Sequence, residues 1–360
     1  MSEEYFVYVG TYTRGRNEGI YVYRFNPSSC SLEPLSETGG IVNPSFLAID
    51  PKGRHLYAVN EIHNYEGKRS GAVAAFSINP ETGELTFLNR KPSKGPGPCY
   101  ISISKNGRFV FAANYSGGSI CMLPVEEDGK LGDPTDFVQH HGSSVNPNRQ
   151  EGPHAHCIVP DPSDKYVFVA DLGLDKVMIY EIDRAEGKLR PHDPPWVQTK
   201  PGAGPRHLTF HPNGRYAYLI NELDSTLIAF TYDEERGVLK ELQTISTLPE
   251  GFSGENTGAD VHVDPSGRFV YGSNRGHDSI VIYRINEDTG KLTLVGHEPT
   301  QGRIPRNFAI DPTGTCLLAA NQNSDNIVFF KINRETGKPN PTGQVVKAPK
   351  PVCIKFVKTP

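Results

Sequence analysis

The sequence repeats a short turn motif at nearly constant spacing, and this repeat limits what the chain can fold into. Asp50-Pro51-Lys52-Gly53-Arg54 recurs as Asp264-Pro265-Ser266-Gly267-Arg268, and looser copies begin at Ser104, Asp161, His211 and Asp311. Successive copies start 54, 57, 50, 53 and 47 residues apart. This period is too long for leucine-rich or helical repeats, and it suits one four-stranded blade of a β-propeller.

Each copy predicts four strands, A to D, in the same order. An apolar run such as 46–49 comes first, and the Pro and Gly of the motif then allow a tight A–B turn. Strand B follows, as in the aromatic and branched run 215–220, and strand C alternates, as in 279–283. A Gly-containing turn leads to strand D. The 36 glycines and 30 prolines are therefore mostly turn residues, which excludes a helical bundle.

The two ends of the chain complement each other. Residues 5–9 and 20–25 resemble strands B and C without a strand A, and residues 351–357 resemble the missing strand A. Six complete copies and one split copy predict an all-β, seven-bladed β-propeller with four-stranded antiparallel blades. In this arrangement the C-terminal strand joins the N-terminal blade and closes the ring, which removes open sheet edges. We expect a single domain over residues 1–360.

Composition excludes several classes of protein. Lys plus Arg number 37 against 41 Asp plus Glu, a net charge of −4 without a basic field, so neither nucleic acid nor a membrane surface is expected as a partner. The first residues lack the pattern of a signal peptide, and the longest apolar runs are too short for a membrane helix. The six cysteines show no CxxC pair, and most of them lie in apolar strand-like runs, which fits buried free thiols. We therefore expect a cytoplasmic protein.

The repeat also supplies a coordinate system for candidate site residues. Positions are counted from the first residue of each A–B turn, so that position −5 starts strand A and position +11 ends strand B. Neighbouring antiparallel strands bring these positions to one end of each blade. Position −5 holds Ser45, Cys99, His156, Arg206, Ala259 and Arg306, and position +11 holds Glu61, Tyr115, Leu172, Glu222, Arg275 and Gln322. Position −3 is apolar in all six copies. Two Glu, three Arg and one His at these positions predict a functional site at this end of the blades, which we call the rim.

Structural explanations for these polar residues stay open. Arg206 and Arg306 could pair with glutamates of adjacent blades, and the Asn or Asp that fills every position +10 fits a structural turn-capping role. His207, His211 and His262 fit buried core or supporting residues. His154 and His156 are spaced like a metal pair on one strand face, but no third ligand is evident. We therefore predict neither a metal nor another cofactor.

Two arginines, a glutamate and a histidine at one rim suit a small anionic substrate. Arginine stays charged and offers a planar fork to phosphate or carboxylate. A nearby Glu or His could remove a proton from water or carbon, and a second arginine could stabilise an oxyanion.

Five segments of the sequence resemble the seven-bladed β-propeller lactonase family, which includes bacterial propeller-type 6-phosphogluconolactonases and the fungal carboxy-cis,cis-muconate cyclase. They are Gly152-Pro153-His154-Ala155-His156, Asp171-Leu172-Gly173-Leu174-Asp175, Gly204-Pro205-Arg206-His207, Asn221-Glu222-Leu223 and Ser273-Asn274-Arg275. The resemblance extends to all blades, including Val9-Gly10-Thr11-Tyr12.

The resemblance implies a catalytic set of His156, Arg206, Glu222 and Arg275. Counting from the turn favours His156, whereas counting from Gly-Pro favours His154, so the catalytic histidine stays open between these two. We expect the other rim residues to bind substrate. They are His154, Glu61, Tyr115, Arg306 and Gln322.

The reaction implied by the resemblance is hydrolysis of 6-phospho-D-glucono-1,5-lactone to 6-phosphogluconate, in the pentose phosphate pathway. Glu222, assisted by His156, would activate water, while Arg206 and Arg275 would hold the phosphate and stabilise the oxyanion. Two alternatives stay open: a muconate-type cycloisomerase using the same cleft, and a non-enzymatic scaffold for protein interactions. The expected assembly is a monomer or a weak homo-oligomer.

Overall fold

The regular structure of this chain is β-strand throughout the part that the computed structural model describes, namely residues 3–13 and 19–360. Within those residues, twenty-eight strands form seven sheets of four strands each. The same residues contain no helix that could span a membrane. The prediction of a seven-bladed β-propeller is confirmed, and each sheet is one blade.

Blade 1 combines both ends of the chain. Its strands are β1 (Tyr5–Thr11), β2 (Ile20–Asn26), β3 (Ser31–Thr38) and β28 (Pro351–Lys358), in the order β28-β1-β2-β3. Beside this pairing, the backbone N–H of Thr359 donates to the carbonyl oxygen of Glu4 at 3.1 Å. The predicted closure, with the C-terminal strand joining the N-terminal blade, is confirmed.

The other six blades are continuous in sequence, and their strands pair in chain order. Blade 2 consists of β4 (Leu47–Ile49), β5 (His55–Asn60), β6 (Ala72–Ile78) and β7 (Leu85–Pro92), and blade 3 of β8 (Pro98–Ile103), β9 (Phe109–Asn114), β10 (Ser119–Pro124) and β11 (Asp136–Gln139). Blade 4 consists of β12 (Ala155–Pro160), β13 (Tyr166–Asp171), β14 (Lys176–Asp183) and β15 (Lys188–Gln198), and blade 5 of β16 (Pro205–Phe210), β17 (Tyr216–Asn221), β18 (Thr226–Asp233) and β19 (Val238–Ser246). Blade 6 consists of β20 (Thr257–Val263), β21 (Phe269–Arg275), β22 (Ser279–Ile285) and β23 (Leu292–Pro299), and blade 7 of β24 (Pro305–Ile310), β25 (Cys316–Asn321), β26 (Asn326–Ile332) and β27 (Pro339–Lys347).

The A–B turns are held by the first residue of the repeated motif. Asp161 is typical, because its Oδ1 accepts the backbone N–H groups of Lys165 at 2.8 Å and Tyr166 at 2.7 Å. Gly53 and Gly267, the motif glycines, have φ angles of 66° and 74°, in the left-handed region that glycine enters without steric cost. The motif therefore recurs in blades 2 to 7, where this turn joins strand A to strand B.

Burial falls from the second strand of a blade to the fourth. The second strands of blades 2 to 7 are almost wholly buried, and these are β5, β9, β13, β17, β21 and β25. The fourth strands are mostly exposed or half-buried, and these are β7, β11, β15, β19, β23 and β27. The apolar core therefore lies around the second strands, whose ends carry position +11.

The strands group into two compact units. The C-terminal unit has Arg206–Thr359 as its main segment, and the N-terminal unit has Leu35–Pro205 as its main segment. Each is described separately below. The prediction of one domain over residues 1–360 stays a prediction.

The cysteines divide into a pair and four thiols. Cys99, Cys121, Cys157 and Cys353 are buried thiols, as expected. The expectation was wrong for Cys30 and Cys316, which form a disulfide with their Cα atoms 6.1 Å apart. The two residues are 286 positions apart in the chain, so no local spacing could have signalled this pair.

Candidate active site

The residues at position −5 stand at β-bulges in several blades. Pairing of strand A with strand B skips Cys99 in β8, His156 in β12 and Arg306 in β24, and it is irregular from Gly258 to Val261 in β20. A bulge leaves one residue outside the ladder and redirects its side chain, and bulges are frequent beside active sites. In β20 and β21, Arg275 at position +11 pairs with Thr257, which lies two residues before position −5.

Arg206, Glu222 and Arg275 form a compact ionic cluster within the C-terminal unit. Arg206 Nε donates to Glu222 Oε2 at 2.8 Å, and Arg275 Nη2 lies 2.9 Å from the same oxygen. Arg206 is only 1% exposed, and its Nη1 donates to the carbonyl of Ala259 at 2.6 Å. Arg275 Nη2 also donates to the carbonyl of Gly258 at 2.9 Å. The structure therefore brings together three of the four predicted catalytic residues.

The cluster carries more positive than negative charge. Burial lowers the pKa of Arg275 to about 9; Glu222 offsets part of this effect, and the charges of Arg206 and Arg306 add to it. Arg275 is therefore still a cation at neutral pH. Two guanidinium groups share one carboxylate, so the cluster has a net charge of +1 and favours an anionic ligand.

One donor of this cluster has no acceptor. Within the described residues, the buried Nε of Arg275 has no hydrogen-bond partner. A buried unsatisfied donor is costly, and a native protein usually keeps one for a reason such as a ligand. The side chain of Arg275 as a whole is 11% exposed, although its Nε is buried.

The remaining rim residues of the C-terminal unit are less tightly placed. Arg306 is half-buried, and its charge contributes to lowering the pKa values of both His207 and Arg275. Gln322 donates through Nε2 to Asn323 Oδ1 at 3.3 Å. Its Oε1 is buried and, among the described residues, has no hydrogen-bond partner. Arg306 thus belongs electrostatically with the cluster, whereas Gln322 contacts its own neighbour.

Within the N-terminal unit, the two candidate histidines surround Tyr115. The ring of His154 stacks on that of Tyr115 with centroids 4.6 Å apart, and the ring of His156 meets it edge-on at 5.3 Å. His154 Nδ1 lies 3.0 Å from the carbonyl oxygen of Tyr115, and His154 Nε2 lies 3.0 Å from Glu151 Oε1. His156 is buried, with Nδ1 3.8 Å from Cys99 Sγ. Both ring nitrogens of His154 are therefore already engaged by oxygen acceptors.

Glu61 belongs to a different local network of the N-terminal unit. Its Oε2 accepts the hydroxyl of Tyr12 at 2.9 Å and also the hydroxyl of Ser45. Ser45 and Glu61 occupy positions −5 and +11 of the same blade, so the prediction that these positions meet is confirmed here. Two neutral hydroxyl groups hold this carboxylate, in contrast to the two guanidinium groups on Glu222.

The Asn residues at position +10 have a structural role, but they act through their amide groups and not as the predicted carbonyl caps: Oδ1 of Asn60, Asn114, Asn221 and Asn321 has no hydrogen-bond partner among the described residues. The side-chain amides of Asn60, Asn114, Asn274 and Asn321 each donate to a backbone carbonyl, and the acceptors are Val42, Ser93, Thr247 and Thr300. Asp171, which stands where the other copies have Asn, caps the turn as predicted: its Oδ1 accepts the backbone N–H of Gly173 at 3.1 Å, and its Oδ2 accepts from His140 Nδ1 at 2.6 Å. This row therefore ties loops to strand ends.

Sequence reasoning missed Asp260, a buried carboxylate behind Arg206. Asp260 Oδ1 accepts from His207 Nδ1 at 2.7 Å, and Oδ2 accepts from His262 Nε2 at 2.9 Å and from Asn307 Nδ2. His207 and His262 are supporting histidines, as expected. The available signal was position −4, which reads His207, Asp260 and Asn307 in blades 5 to 7 but Phe46, Tyr100 and Cys157 in blades 2 to 4.

The described residues offer no ready metal centre. No group of three or more His, Cys, Asp or Glu side chains in residues 3–13 and 19–360 is arranged to hold a metal ion. His154 and His156 contact Tyr115 and Cys99 as described above. The absence of a metal requirement stays a prediction.

Known sequences resemble this chain over nearly its whole length. The family described as lactonase, 7-bladed beta-propeller, matches residues 6–356. The 6-phosphogluconolactonase of Bacillus subtilis (strain 168) is 38% identical over 355 residues, which cover 98% of this chain and 99% of that protein. The 6-phosphogluconolactonase of Formosa agariphila is 39% identical over 308 residues, which cover 84% of this chain and 86% of the relative.

A solved structure shares the fold over nearly the whole length of both chains. The periplasmic gluconolactonase of Pseudomonas aeruginosa superposes with a TM-score of 0.93 at 38% sequence identity, covering 99% of this chain and 100% of that one. The likeness therefore includes every blade as well as the segments around the ionic cluster.

Proposed function

Because this chain belongs to the seven-bladed β-propeller lactonase family, we propose that it hydrolyses 6-phospho-D-glucono-1,5-lactone to 6-phosphogluconate. Two relatives that are 38% and 39% identical are named for this activity, and the first covers almost all of both chains. The proposed substrate is a phosphate monoester of a sugar lactone, so it brings both a dianionic group and a carbonyl carbon that water can attack.

The observation that carries the proposal is the buried Arg206–Glu222–Arg275 cluster. It offers a net positive charge, and among the described residues its buried donor Arg275 Nε has no hydrogen-bond partner. A phosphate or a developing oxyanion would be attracted by this net positive charge. Hydrogen bonds between charged partners in a poorly solvated site are among the strongest that proteins make.

In the proposed reaction, Glu222 removes a proton from water as the water oxygen attacks the lactone carbonyl carbon, and the family resemblance adds His156 as a further catalytic residue. The carbonyl carbon becomes tetrahedral and its oxygen becomes an oxyanion; of Arg206 and Arg275, one stabilises this oxyanion and the other binds the phosphate. The ring C–O bond then breaks, and the departing ring oxygen takes up the proton to become a hydroxyl. The assignment of His156 rests on the family resemblance and on its place at a bulge.

The remaining rim residues are proposed to bind the substrate. Arg306 adds positive charge to the cluster, and Tyr115 presents a ring flanked by two histidine rings. Glu61, His154 and Gln322 complete this proposed set, although both ring nitrogens of His154 are engaged and Oε1 of Gln322 is buried in the structure.

The deciding experiment is a rate measurement on fresh 6-phosphogluconolactone, with unphosphorylated gluconolactone beside it and spontaneous hydrolysis subtracted. We expect turnover of the phosphorylated lactone, undiminished by chelator, and weaker turnover of the unphosphorylated one. Arg206→Ala should lose at least 100-fold in kcat/KM, because the variant removes one of two guanidinium groups from the site. Arg236→Ala is the matched control, since Arg236 is an exposed arginine of the same blade.

Three results would contradict the proposal. No turnover of either lactone by the folded protein would leave an interaction scaffold as the better explanation. Ultraviolet-detected conversion of a carboxymuconate without lactone hydrolysis would favour a cycloisomerase. Loss of activity with chelator, restored by a divalent metal, would replace the metal-free reaction.

Cytoplasmic location and a monomeric or weakly oligomeric state complete the proposal. Four buried cysteines are thiols, which fits a reducing compartment, whereas the pair Cys30–Cys316 fits an oxidising one. Fractionation of the native host with immediate alkylation tests the location, and light scattering of the purified protein tests the assembly. A periplasmic protein with Cys30 and Cys316 blocked to alkylation would overturn the cytoplasmic assignment.

A further inference from the structure

Behind the guanidinium of Arg206 lies a line of buried polar side chains from three neighbouring blades. His207, Asp260 and Asn307 all occupy position −4, in β16, β20 and β24. All three are buried, with exposures of 4%, 3% and 3%. Asn307 Oδ1 accepts the backbone N–H of Ile354 at 2.9 Å, so the line ends on the C-terminal strand β28.

Asp260 is the centre of this line and accepts four hydrogen bonds. His207 Nδ1 and the backbone N–H of Val261 reach Oδ1 at 2.7 and 3.0 Å, while His262 and Asn307 reach Oδ2. An ionised carboxylate can only accept, so every partner must present a hydrogen. Burial raises the pKa of Asp260, but the charge of His262 and the hydrogen bonds from His207 and His262 together bring it well below its ordinary value.

The carboxylate thereby decides where His207 carries its proton. Nδ1 must be the protonated nitrogen, because it faces Asp260 Oδ1. Burial, with a further contribution from Arg206, lowers the pKa of His207 to about 4, so the ring is neutral near pH 7. The second nitrogen, Nε2, then bears a lone pair. It lies 3.4 Å from Arg206 Nη1 and can accept a hydrogen bond from it.

We propose that Asp260, acting through the tautomer of His207, positions the guanidinium of Arg206 for catalysis. The inference rests on the proposed lactonase function and extends it by two positioning residues. Arg206 is then oriented from three directions: Glu222 holds Nε, and the carbonyl of Ala259 and the ring of His207 hold Nη1. A site fixed in this way needs little reorganisation when charge develops on the substrate.

The first test compares Asp260→Asn with Asp264→Asn. An amide at position 260 has one oxygen and one NH2 group, so it cannot accept from all four donors, and His207 loses its fixed tautomer. We expect kcat/KM for 6-phosphogluconolactone to fall on the order of 10- to 100-fold, a size typical of small misplacements in an active site. Asp264 is a buried turn residue of the same blade, and its Oδ1 accepts the backbone N–H of Phe269. Asp264→Asn should lose stability without this loss of activity.

The second test separates positioning from mere packing at residue 207. His207→Gln keeps one donor and one acceptor, whereas His207→Phe keeps the ring shape without either. We expect His207→Phe to lose as much activity as Asp260→Asn, and His207→Gln to be about tenfold more active than His207→Phe. In the double variant, Asp260→Asn should add no further loss to His207→Phe, because its effect passes through the imidazole. His211→Gln removes an equally buried histidine at the A–B turn and serves as the control.

Nitrogen NMR of the labelled His207 ring gives a readout that needs no turnover. The wild-type protein should show the tautomer protonated at Nδ1, and Asp260→Asn should shift it toward Nε2. If the wild-type protein hydrolyses no lactone, the proposed function fails, and the NMR result still tests the hydrogen-bond relay. If the wild-type protein is active, equal activity of Asp260→Asn and Asp264→Asn, or multiplied losses in the double variant, overturns the positioning role.

Discussion

The two units of the molecule use the same positions of the repeat for different chemistry. In the N-terminal unit, positions −5 and +11 hold Ser45 and Glu61, Cys99 and Tyr115, and His156 and Leu172. In the C-terminal unit they hold Arg206 and Glu222, Ala259 and Arg275, and Arg306 and Gln322. Bulges occur at these strand ends in both units. The repeated backbone therefore supplies the geometry, and the residue type at each copy supplies the chemistry.

Position −4 shows the same division one residue further along strand A. In the N-terminal unit, Phe46 and Tyr100 stack with their ring centroids 4.1 Å apart, as an apolar core does. In the C-terminal unit the equivalent residues are His207, Asp260 and Asn307, and they form the hydrogen-bonded line behind Arg206. Burying polar groups costs stability unless every group finds a partner. A polar row beside the ionic cluster and an apolar row elsewhere indicate that the polar row has a functional reason.

The largest effect that tests the difference between the two units is expected when the carboxylate at position +11 is removed from each. Glu222→Gln should lower kcat by about 10²- to 10⁴-fold, the usual contribution of a general base. Glu61→Gln should cost at most about tenfold, because Glu61 is held by hydroxyl groups and is assigned only to substrate binding. Initial rates with 6-phosphogluconolactone measure both. Equal losses in the two variants would show that the units share the chemistry instead of dividing it.

A second change tests which part of the substrate the C-terminal unit recognises. Arg275→Met should raise KM for the phosphorylated lactone about 10- to 100-fold, since hydrogen bonds to charged groups contribute about 1.5–3 kcal/mol each. Gluconolactone without phosphate should be affected less. Arg108→Met, an exposed arginine of the N-terminal unit, is the control. The same loss for both lactones would move Arg275 from the phosphate to the oxyanion.

Much of this architecture could be predicted from the sequence, because each blade repeats the same turn chemistry. The period gave the number of blades, and the incomplete copies at the two ends gave the closure through β28. The family motifs contained Arg206, Glu222 and Arg275, which the structure joins in one cluster. These features depend on residues that are close in sequence or that recur with the repeat.

The remaining features depend on tertiary packing. The bulges at Cys99, His156 and Arg306 have no common residue type, so their sequence does not signal them. In the sequence, Asp260 is a single charged residue within a strand. Its partners His207 in β16 and Asn307 in β24 become evident only in the folded structure. The pair Cys30–Cys316 joins blade 1 to blade 7, and such a pairing follows only from the packing of the blades.

Lowering the pH should reduce the unfolding free energy through the polar residues at position −4 of the C-terminal unit, and not through the apolar residues at position −4 of the N-terminal unit. The pKa of His207 is lowered to about 4, so from about pH 6.5 to 4 the unfolded chain takes up a proton that the folded chain excludes. The wild-type protein should thereby lose up to about 3 kcal/mol of unfolding free energy as the pH falls through this interval. Below it, protonation of Asp260, whose pKa is also lowered, removes further stability.

Urea unfolding at pH 6.5 and pH 4.5 measures this contribution. His207→Gln should show a smaller drop in unfolding free energy between the two pH values than the wild-type protein. Cys157→Ser, at the same repeat position in the N-terminal unit, should retain the wild-type drop. Parallel pH profiles for His207→Gln and the wild-type protein would mean that His207 is protonated in the folded state, contrary to its burial beside Arg206.

The smallest effect is expected from a substitution in the apolar residues at position −4 of the N-terminal unit. Phe46→Leu keeps an apolar side chain of similar size but removes the stacking on Tyr100, which contributes about 0.5–1.5 kcal/mol beyond its buried area. The unfolding free energy should fall by about 1 kcal/mol, and kcat/KM should stay unchanged. Substitutions at position −4 would then change stability alone in the N-terminal unit, but both stability and activity in the C-terminal unit. A clear loss of activity in Phe46→Leu would instead mean that the whole row supports the site, and that its polar half is not a specialisation.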